Sequence, residues 1–407
     1  MEETKIYKFS ELCSKIGSGA TPKGGKESYL GGNIALIRSQ NVLDFNFSVD
    51  GLAYINNEQA QKLNNVSIEE NDVLLNITGD SVARACMAPS WILPARVNQH
   101  VAIIRGNADL VLNDYLLYFL QYKKSYLLSI SQGGATRNAL TKRMIEDIEL
   151  LLPNLSHQRK VVSILRSLDS KIELNRRIND NLEQQAQALF KSWFVDFEPF
   201  RGGEFVDSEL GLIPKGWRVV SLGEVTKQIT EKVGNREDVT VLSPINSGEL
   251  VLSEEYFTKQ VFSKDLSKYL IVNPLSFAYN PARINIGSIG LNTFDFVGCV
   301  SPVYVVFECE PNYQYFFDFF KRTAMFKDEV ALRAIGGVRQ SLGYNDLSLI
   351  KIIYPTSDVV VEFNNLYLKM KEVMIKNTDQ NEKFISLRDS LLPKLMSGEL
   401  KINEFNC

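Results

Sequence analysis

Glycine-rich loops with a lysine can hold phosphates, and Gly17-Ser18-Gly19-Ala20-Thr21-Pro22-Lys23-Gly24-Gly25-Lys26 has the composition for it. It lacks the pattern. A phosphate loop needs G-x-x-x-x-G-K-[ST], and here position 20 is Ala and Lys26 is followed by Glu27. Histidine is the usual general base near neutral pH and a common zinc ligand, yet the chain has two, His100 and His157. Both are expected to be surface or structural residues. The cysteines, Cys13, Cys86, Cys299, Cys309 and Cys407, are odd in number and scattered without a C-x-x-C pair, so they read as reduced thiols.

The segment Asn280-Pro281-Ala282-Arg283 begins like the N-P-P-aromatic motif that grips a flipped base, but the second proline and the aromatic are missing. No glycine-rich cofactor loop accompanies it. We therefore expect no active site and no metal centre. What the chain offers instead is polar loops beside glycines. Ser131-Gln132-Gly133-Gly134-Ala135-Thr136-Arg137-Asn138-Ala139-Leu140-Thr141-Lys142-Arg143 mixes flexible backbone with side chains that suit base edges and phosphates. From it we single out Arg137, Asn138, Lys142 and Arg143. A second such stretch, around Gly336-Gly337, supplies Arg333, Arg339, Gln340, Ser341 and Tyr344. Smaller candidates lie near expected strand ends, where loops often carry function: Arg38, Gln40 and Asn41; Arg96 and Gln99, in the run to His100; Asn246; Arg283 and Asn285.

The elements that must position these loops are written twice. Gly133-Gly134, Arg137, Leu140, Ile145, Ile148 and Pro153 return as Gly336-Gly337, Arg339, Leu342, Leu347, Ile350 and Pro355, at an offset of 202 apart from slippage at the glycines. Phe9-Ser10-Glu11-Leu12 returns as Leu222-Gly223-Glu224-Val225, 213 residues on. A period near half the chain is too long for a solenoid and implies two similar domains, each with its own core. Strands are expected at 34–37, 73–77, 101–104 and 303–307, with helices near 115–126 and 315–326.

After each proline the pattern turns helical. Val161, Leu168, Asn175, Leu182 and Leu189 lie seven apart, as do Phe363, Met370, Asn377, Phe384 and Leu391. A second column is Leu165, Ile172, Asn179, Ala186 and Trp193 in one copy and Leu366, Val373, Gln380, Leu387 and Leu395 in the other. Such columns over five heptads signal a coiled coil. If the two helices run antiparallel, their centres face each other and a buried Asn finds an amide partner that fixes register. The expectation is an antiparallel pair over 156–196 and 358–397, with Asn175 and Asn377 close at the midpoint.

Length alone suggests two to three domains, and 45% apolar residues allow sizeable cores. The start Met1-Glu2-Glu3-Thr4-Lys5 lacks a secretory pattern and no apolar run approaches a membrane span, so a cytoplasmic protein is expected. The net charge of −3 is evenly spread: residues 1–155 carry 15 basic and 16 acidic side chains, and residues 217–357 carry 14 and 15. A non-specific nucleic-acid binder should show a basic excess. Any DNA contact must come from local patches.

Taken together, Gly17-Ser18-Gly19-Ala20-Thr21-Pro22, Leu189-Phe190-Lys191-Ser192-Trp193-Phe194-Val195-Asp196-Phe197-Glu198-Pro199-Phe200, Gly211-Leu212-Ile213-Pro214-Lys215-Gly216-Trp217, Tyr279-Asn280-Pro281-Ala282-Arg283 and Leu391-Leu392-Pro393-Lys394-Leu395-Met396-Ser397-Gly398-Glu399-Leu400 resemble the specificity subunit of type I restriction-modification systems. The resemblance covers nearly the whole chain, in order. It implies an α+β fold in which two mixed α/β target-recognition domains, related by a pseudo-two-fold axis, are separated by two long antiparallel coiled-coil helices. The corresponding layout is a first recognition domain at 1–155, a spacer helix at 156–196, a linker at 197–216, a second recognition domain at 217–357, a second spacer at 358–397 and a tail at 398–407. The resemblance further implies that each domain reads half of a split, asymmetric DNA target. Two methyltransferase subunits would bind the spacers and restriction/translocase subunits would join them. Adenine-N6 methylation with S-adenosylmethionine, and cleavage with ATP and Mg, would reside in those partners, leaving this chain without catalysis or cofactor. The alternatives are a related two-subunit system with one combined methylase and nuclease, or a coiled-coil scaffold that touches no DNA.

Overall fold

The structure is a computed structural model and describes residues 5–22, 29, 31–132, 138–257, 259, 262–333 and 341–400. Two compact units divide the chain, one formed by residues 1–176 with 377–407 and the other by residues 177–376. The division falls inside both long helices, so each unit owns half of each helix rather than ending before it.

Strands of the first unit are β1 (Lys5–Lys8), β2 (Cys13–Ser18), β3 (Ile34–Ile37), β4 (Ala53–Ile55), β5 (Val73–Asn76), β6 (Ala85–Met87), β7 (Ala95–Val97), β8 (Val101–Gly106) and β9 (Glu149–Leu152). They form an antiparallel sheet ordered β2-β8-β5-β6, a smaller sheet ordered β4-β3-β7 and the pair β1-β9. Successive side chains of a strand face opposite ways, and both faces of β5 and β8 are covered. Val73, Leu75 and Ile104 enter the core shared with the helices, while Leu74 and Ile103 enter the core beneath the smaller sheet. Burial on both faces explains the uninterrupted apolar runs Val73-Leu74-Leu75 and Val101-Ala102-Ile103-Ile104.

The second unit repeats this plan after a hairpin of β10 (Phe205–Ser208) and β11 (Gly211–Pro214). Its strands are β12 (Arg218–Ser221), β13 (Thr226–Ile229), β14 (Thr240–Pro244), β15 (Leu250–Leu252), β16 (Leu270–Val272), β17 (Phe277–Tyr279), β18 (Ile289–Leu291), β19 (Gly298–Val300), β20 (Val305–Cys309) and β21 (Lys351–Tyr354). The larger sheet, β13-β20-β17-β18, matches β2-β8-β5-β6 strand for strand, and β12-β21 matches β1-β9. The other sheet, β15-β14-β19-β16, gains one strand over β4-β3-β7. In both copies the central pairing is parallel, β3 with β7 and β14 with β19.

Each helix expected as one piece in the middle of a copy is broken. Asn113–Tyr122 is followed by Lys124–Ser131, with Lys123 at φ −88° and ψ 10°. Gln314–Phe320 is followed by Ala324–Arg333, because the Thr323 hydroxyl donates to Phe320 O at 2.7 Å and accepts from Phe326 N at 3.3 Å, capping the new helix. The strand expected at 303–307 starts at Val305, since Val303 sits exposed in a turn.

The long helices are Leu155–Phe194 and Ser357–Met396, of 40 residues each. Within the first unit, Asn175 Nδ2 donates to Asn381 Oδ1 at 3.0 Å, Arg388 NH1 to Asp169 Oδ1 at 2.9 Å, and Val161 and Leu165 share a core with Leu392 and Leu395. Numbers fall along one helix as they rise along the other, so the halves are antiparallel. The same holds within the second unit, where Asn179 Nδ2 donates to Met374 O at 3.1 Å and the Phe194 and Phe363 rings lie 5.3 Å apart. Asn175 also lies 3.5 Å from Asn377 O, while its side-chain amide partners are Asn381 and, at 3.3 Å, Gln380.

Val161, Asn175, Phe363 and Asn377 are buried, and Leu168, Leu182, Leu189, Met370, Phe384 and Leu391 half-buried. In the first helix Leu165, Ile172 and Ala186 are buried and Asn179 and Trp193 half-buried. The second column expected in the other helix is a correction: Leu366, Val373, Gln380 and Leu387 are exposed. The inward column runs Val360, Tyr367, Met374, Asn381, Arg388 and Leu395, all buried but the half-buried Met374, four residues from the first rather than three. Its Tyr, Asn and Arg disguised it, while the apolar but exposed Leu366, Val373 and Leu387 imitated it. Among the described residues no helix is long and apolar enough to cross a membrane.

Candidate nucleic-acid interface

In the first unit β5 ends, β6 begins and β8 begins at one edge of the larger sheet, since Asn76 pairs with Val101 and Leu75 with Ala85. The smaller sheet delivers the end of β3 to the same edge. Buried Asn76 donates through Nδ2 to Ser39 O at 2.9 Å and Val42 O at 3.1 Å. The segment after the first glycine pair docks there too, through Leu140 N to Ile77 O at 2.8 Å and Gly79 N to Asn138 O at 3.0 Å. Four chain segments thus meet around a cleft of about 500 Å³ lined by Ser39, Gln40, Thr78 to Ser81, Arg84, His100, Asn138 and Ala139.

The second unit builds the corresponding edge. Leu342 N donates to Pro281 O at 3.1 Å, the counterpart of Leu140 on Ile77, and Ser288 Oγ ties the loop to the end of β14 through Pro244 O at 2.8 Å. Gly287 has φ +95°, and a Cβ there would lie 2.6 Å from Asn246 O, so glycine is what lets this loop close on the turn at Asn246. Exposed Asn246, Arg283, Asn285 and Ser341 are thereby gathered at one strand end.

The structure separates the sequence candidates. Gln40 and Asn138 line the cleft, and Gln99 adjoins it through His100 at 3.1 Å. Lys142 and Arg143 lie on the short helix after Leu140, with Glu146 at 3.4 Å and Asp147 at 3.7 Å, and the Arg143 side chain is 91% exposed. Asn41 is fully buried; its amide donates to Ser48 O and Asp50 O, so it shapes its own loop and cannot reach a base. Arg96 is spent on Ala60 O, Ala95 O and Asn64 Oδ1, and burial lowers its pKa. Arg38 turns to Gly51 O and stands over the Tyr29 ring at 5.6 Å. Arg333 is held by Glu329 at 3.0 Å. Arg137, Arg339 and Gln340 lie outside the described residues.

Thr78, Asp80, Ser81 and Arg84 were missed by sequence reasoning, yet they line the cleft. The repeat held the signal: residues 77–84 are the counterparts of 281–288, where Arg283 and Asn285 had been singled out. Arg84 and Arg283 each present a guanidinium with no side-chain partner among the described residues. The glycine-rich stretch at 17–26 is explained otherwise. Gly19 N donates to Asn98 O at 3.1 Å, and a Cβ on Gly19 would lie 1.8 Å from Val97 O, so its glycine serves close contact with β7.

Residues 1–184 match the family model described as the type I restriction modification DNA specificity domain. Over 98% of its length the chain is 26% identical to the type I restriction enzyme MjaIX specificity subunit of Methanocaldococcus jannaschii, of which 94% is covered. It is 24% identical to the type I restriction enzyme HindI specificity subunit of Haemophilus influenzae, with 90% of this chain and 94% of that one aligned. The crystal structure of the type I restriction-modification system S subunit from M. genitalium shares the fold, with a TM-score of 0.51 at 13% identity over 97% of this chain and 96% of that one. One frame built twice, with polar loops at matching strand ends, and a likeness that runs through both copies point one way: residues 1–184 carry the type I restriction modification DNA specificity domain, and the chain as a whole is similar to the specificity subunits of type I restriction-modification systems.

Proposed function

We propose that each unit reads one half of a bipartite, asymmetric DNA target through the loops at its strand ends, and that the paired long helices seat partner subunits and set the spacing of the half-sites. The observation that carries this reading is the duplicated docking of Leu140 on Ile77 and Leu342 on Pro281, which places non-identical polar loops on an identical frame. Phosphate contacts by Lys and Arg would position the duplex, and Gln, Asn and Arg at the loop tips would discriminate base edges. Two methyltransferase subunits and the restriction/translocase subunits would carry the chemistry, adenine-N6 methylation with S-adenosylmethionine and cleavage with ATP and Mg, in the cytoplasm. The chain itself contributes recognition.

The test is a map of N6-methyladenine in cells with and without this gene, together with methylation assays on purified subunits. A two-part motif that disappears with the gene, and methylation only when chain and methyltransferase are combined, is the expected result. Inserting one heptad, about 10 Å of helix, into the first long helix should alter half-site spacing and leave the letters unchanged. Methylation by the chain alone, or a heptad insertion that changes letters at constant spacing, would overturn the reading.

A further inference from the structure

We propose that Thr78 is a specificity-determining residue of the first half-site, its hydroxyl oriented as a hydrogen-bond donor by a chain that runs through His100 and Gln99. The inference rests on the reading above and names one contact within it. Thr78 lies half-buried in the cleft of the first unit, pinned on the backbone by its bridge to Ala139. Its Oγ1 is 2.6 Å from His100 Nδ1, and His100 Nε2 is 3.1 Å from Gln99 Nε2. The other end of the Gln99 amide, Oε1, accepts the hydroxyl of Thr21.

These contacts have one polarity. With the Gln99 amide nitrogen facing the ring, His100 Nε2 accepts and the ring proton sits on Nδ1. Nδ1 then donates to Thr78 Oγ1, which must turn its own O–H elsewhere. With one lone pair taken, Thr78 turns its O–H to the cleft and keeps one lone pair. The backbone that carries the ring is held in place, because His100 N donates to Asn98 Oδ1 at 3.0 Å and His100 O accepts from Ile77 N at 3.0 Å. A hydroxyl normally rotates to suit either a donor or an acceptor and so reads little. Here the ring biases the O–H toward the cleft before DNA arrives, with Asp80 and Arg84 as the charged groups on the same cleft.

In the major groove guanine, adenine and thymine present acceptors at O6, N7 or O4, whereas cytosine presents its N4 amino donor. A pre-oriented donor therefore favours guanine, adenine or thymine over cytosine at one position. The experiment uses the chain reconstituted with its methyltransferase partner on a pool of duplexes randomised across the half-sites, with N6-methyladenine read by sequencing. One position of one half-site should disfavour cytosine with wild-type chain. Thr78→Val, which keeps the shape and loses the hydroxyl, should shrink that bias roughly tenfold, the range for an unmet buried hydrogen bond. Thr78→Ser should restore it. Gln99→Leu, at an exposed residue, should weaken discrimination at the same position by freeing the ring tautomer, a change that a merely structural glutamine would not produce. The other half-site stays constant in every variant and reports that the protein is folded and assembled. An unchanged map for Thr78→Val, or no loss with Gln99→Leu, overturns the relay while leaving DNA reading in place. Wild-type chain that directs no sequence-selective methylation brings down both.

Discussion

Arg388 should be the residue through which the second long helix is locked onto the first unit. Its guanidinium donates through NH1 to Asp169 Oδ1 at 2.9 Å and through Nε to Asp389 Oδ1 at 2.9 Å, and lies 3.8 Å from the Phe45 ring centroid. Asp169 Oδ2 meanwhile accepts the Tyr118 hydroxyl at 2.6 Å. The Arg388 and Asp169 side chains are 9% and 23% exposed. Breaking a buried ion pair by removing one partner costs about 3–5 kcal/mol. Asp169 keeps Tyr118 and some water, which brings the expected cost of Arg388→Met to about 2–3 kcal/mol. Asp169→Asn should cost about 2 kcal/mol, and the double variant scarcely more than the worse single one, for a coupling of about 2 kcal/mol. Because the pair is shielded, that coupling should persist at 1 M salt, where exposed charges are screened within about 3 Å. Hydrogen exchange measured by mass spectrometry on peptides from 155–176 and 377–396 reads the local free energy directly. Single-variant costs that add to within about 0.5 kcal/mol would refute the argument that this network holds the helix.

Three further outcomes follow from the packing. Asn175→Leu should destabilise the helix pair by about 1–3 kcal/mol because buried Asn381 loses its donor, whereas Asn175→Leu with Asn381→Leu should recover or exceed wild-type stability while the register loosens; crosslinking of cysteines placed along the two helices would check both. Gly287→Ala should cost the second unit about 1–3 kcal/mol through its left-handed backbone and the approach to Asn246 O, and calorimetry should show the loss in that unit's transition, with discrimination weakened in one half-site alone. Burial pushes the Cys13 and Cys309 thiols up to about 12 from a usual value of 9.0. The folded chain therefore keeps protons that the unfolded chain releases, so this stabilisation is complete below pH 9 and declines between about 9 and 12, by up to about 1.4 kcal/mol per pH unit for each thiol. Urea melts at pH 8 and 10 should show that slope, and Cys13→Ala with Cys309→Ala should flatten it.

The frame was legible because it is repeated. Leu140 and Leu342, Ile148 and Ile350, Pro153 and Pro355 stand at one offset, and any residue that packs the same core twice must recur at that offset. The first heptad columns were legible for the same reason. The second column of the C-terminal helix was not, because a seven-residue repeat does not say whether its partner lies three or four positions on. There the seam carries Tyr367, Asn381 and Arg388, which meet Phe319, Asn175 and Asp169 respectively, all far away in sequence. Asn41 and Arg96 looked like readers by type, but a polar side chain near a strand end serves its own loop whenever buried carbonyls such as Ser48 O or Ala60 O need a donor.

The residues that sequence reasoning missed lie on the loop to which the proposed reading assigns specificity. Thr78 and Arg84 belong to a loop whose counterpart, 281–288, has the same anchor points and none of the same side chains. The anchors, Ile77 O for Leu140 and Pro281 O for Leu342, are backbone atoms, so they survive any substitution that preserves the strand ends. Exposed side chains on such a loop, Asp80 in one copy and Arg283 and Asn285 in the other, can change without cost to the core, to which the loops give only Ile77, Val82, Ala83 and Ile284. An internal repeat that fixes the frame through main-chain contacts and leaves the loop tips free has what two unlike half-sites require: one geometry of approach and two independent sets of readers.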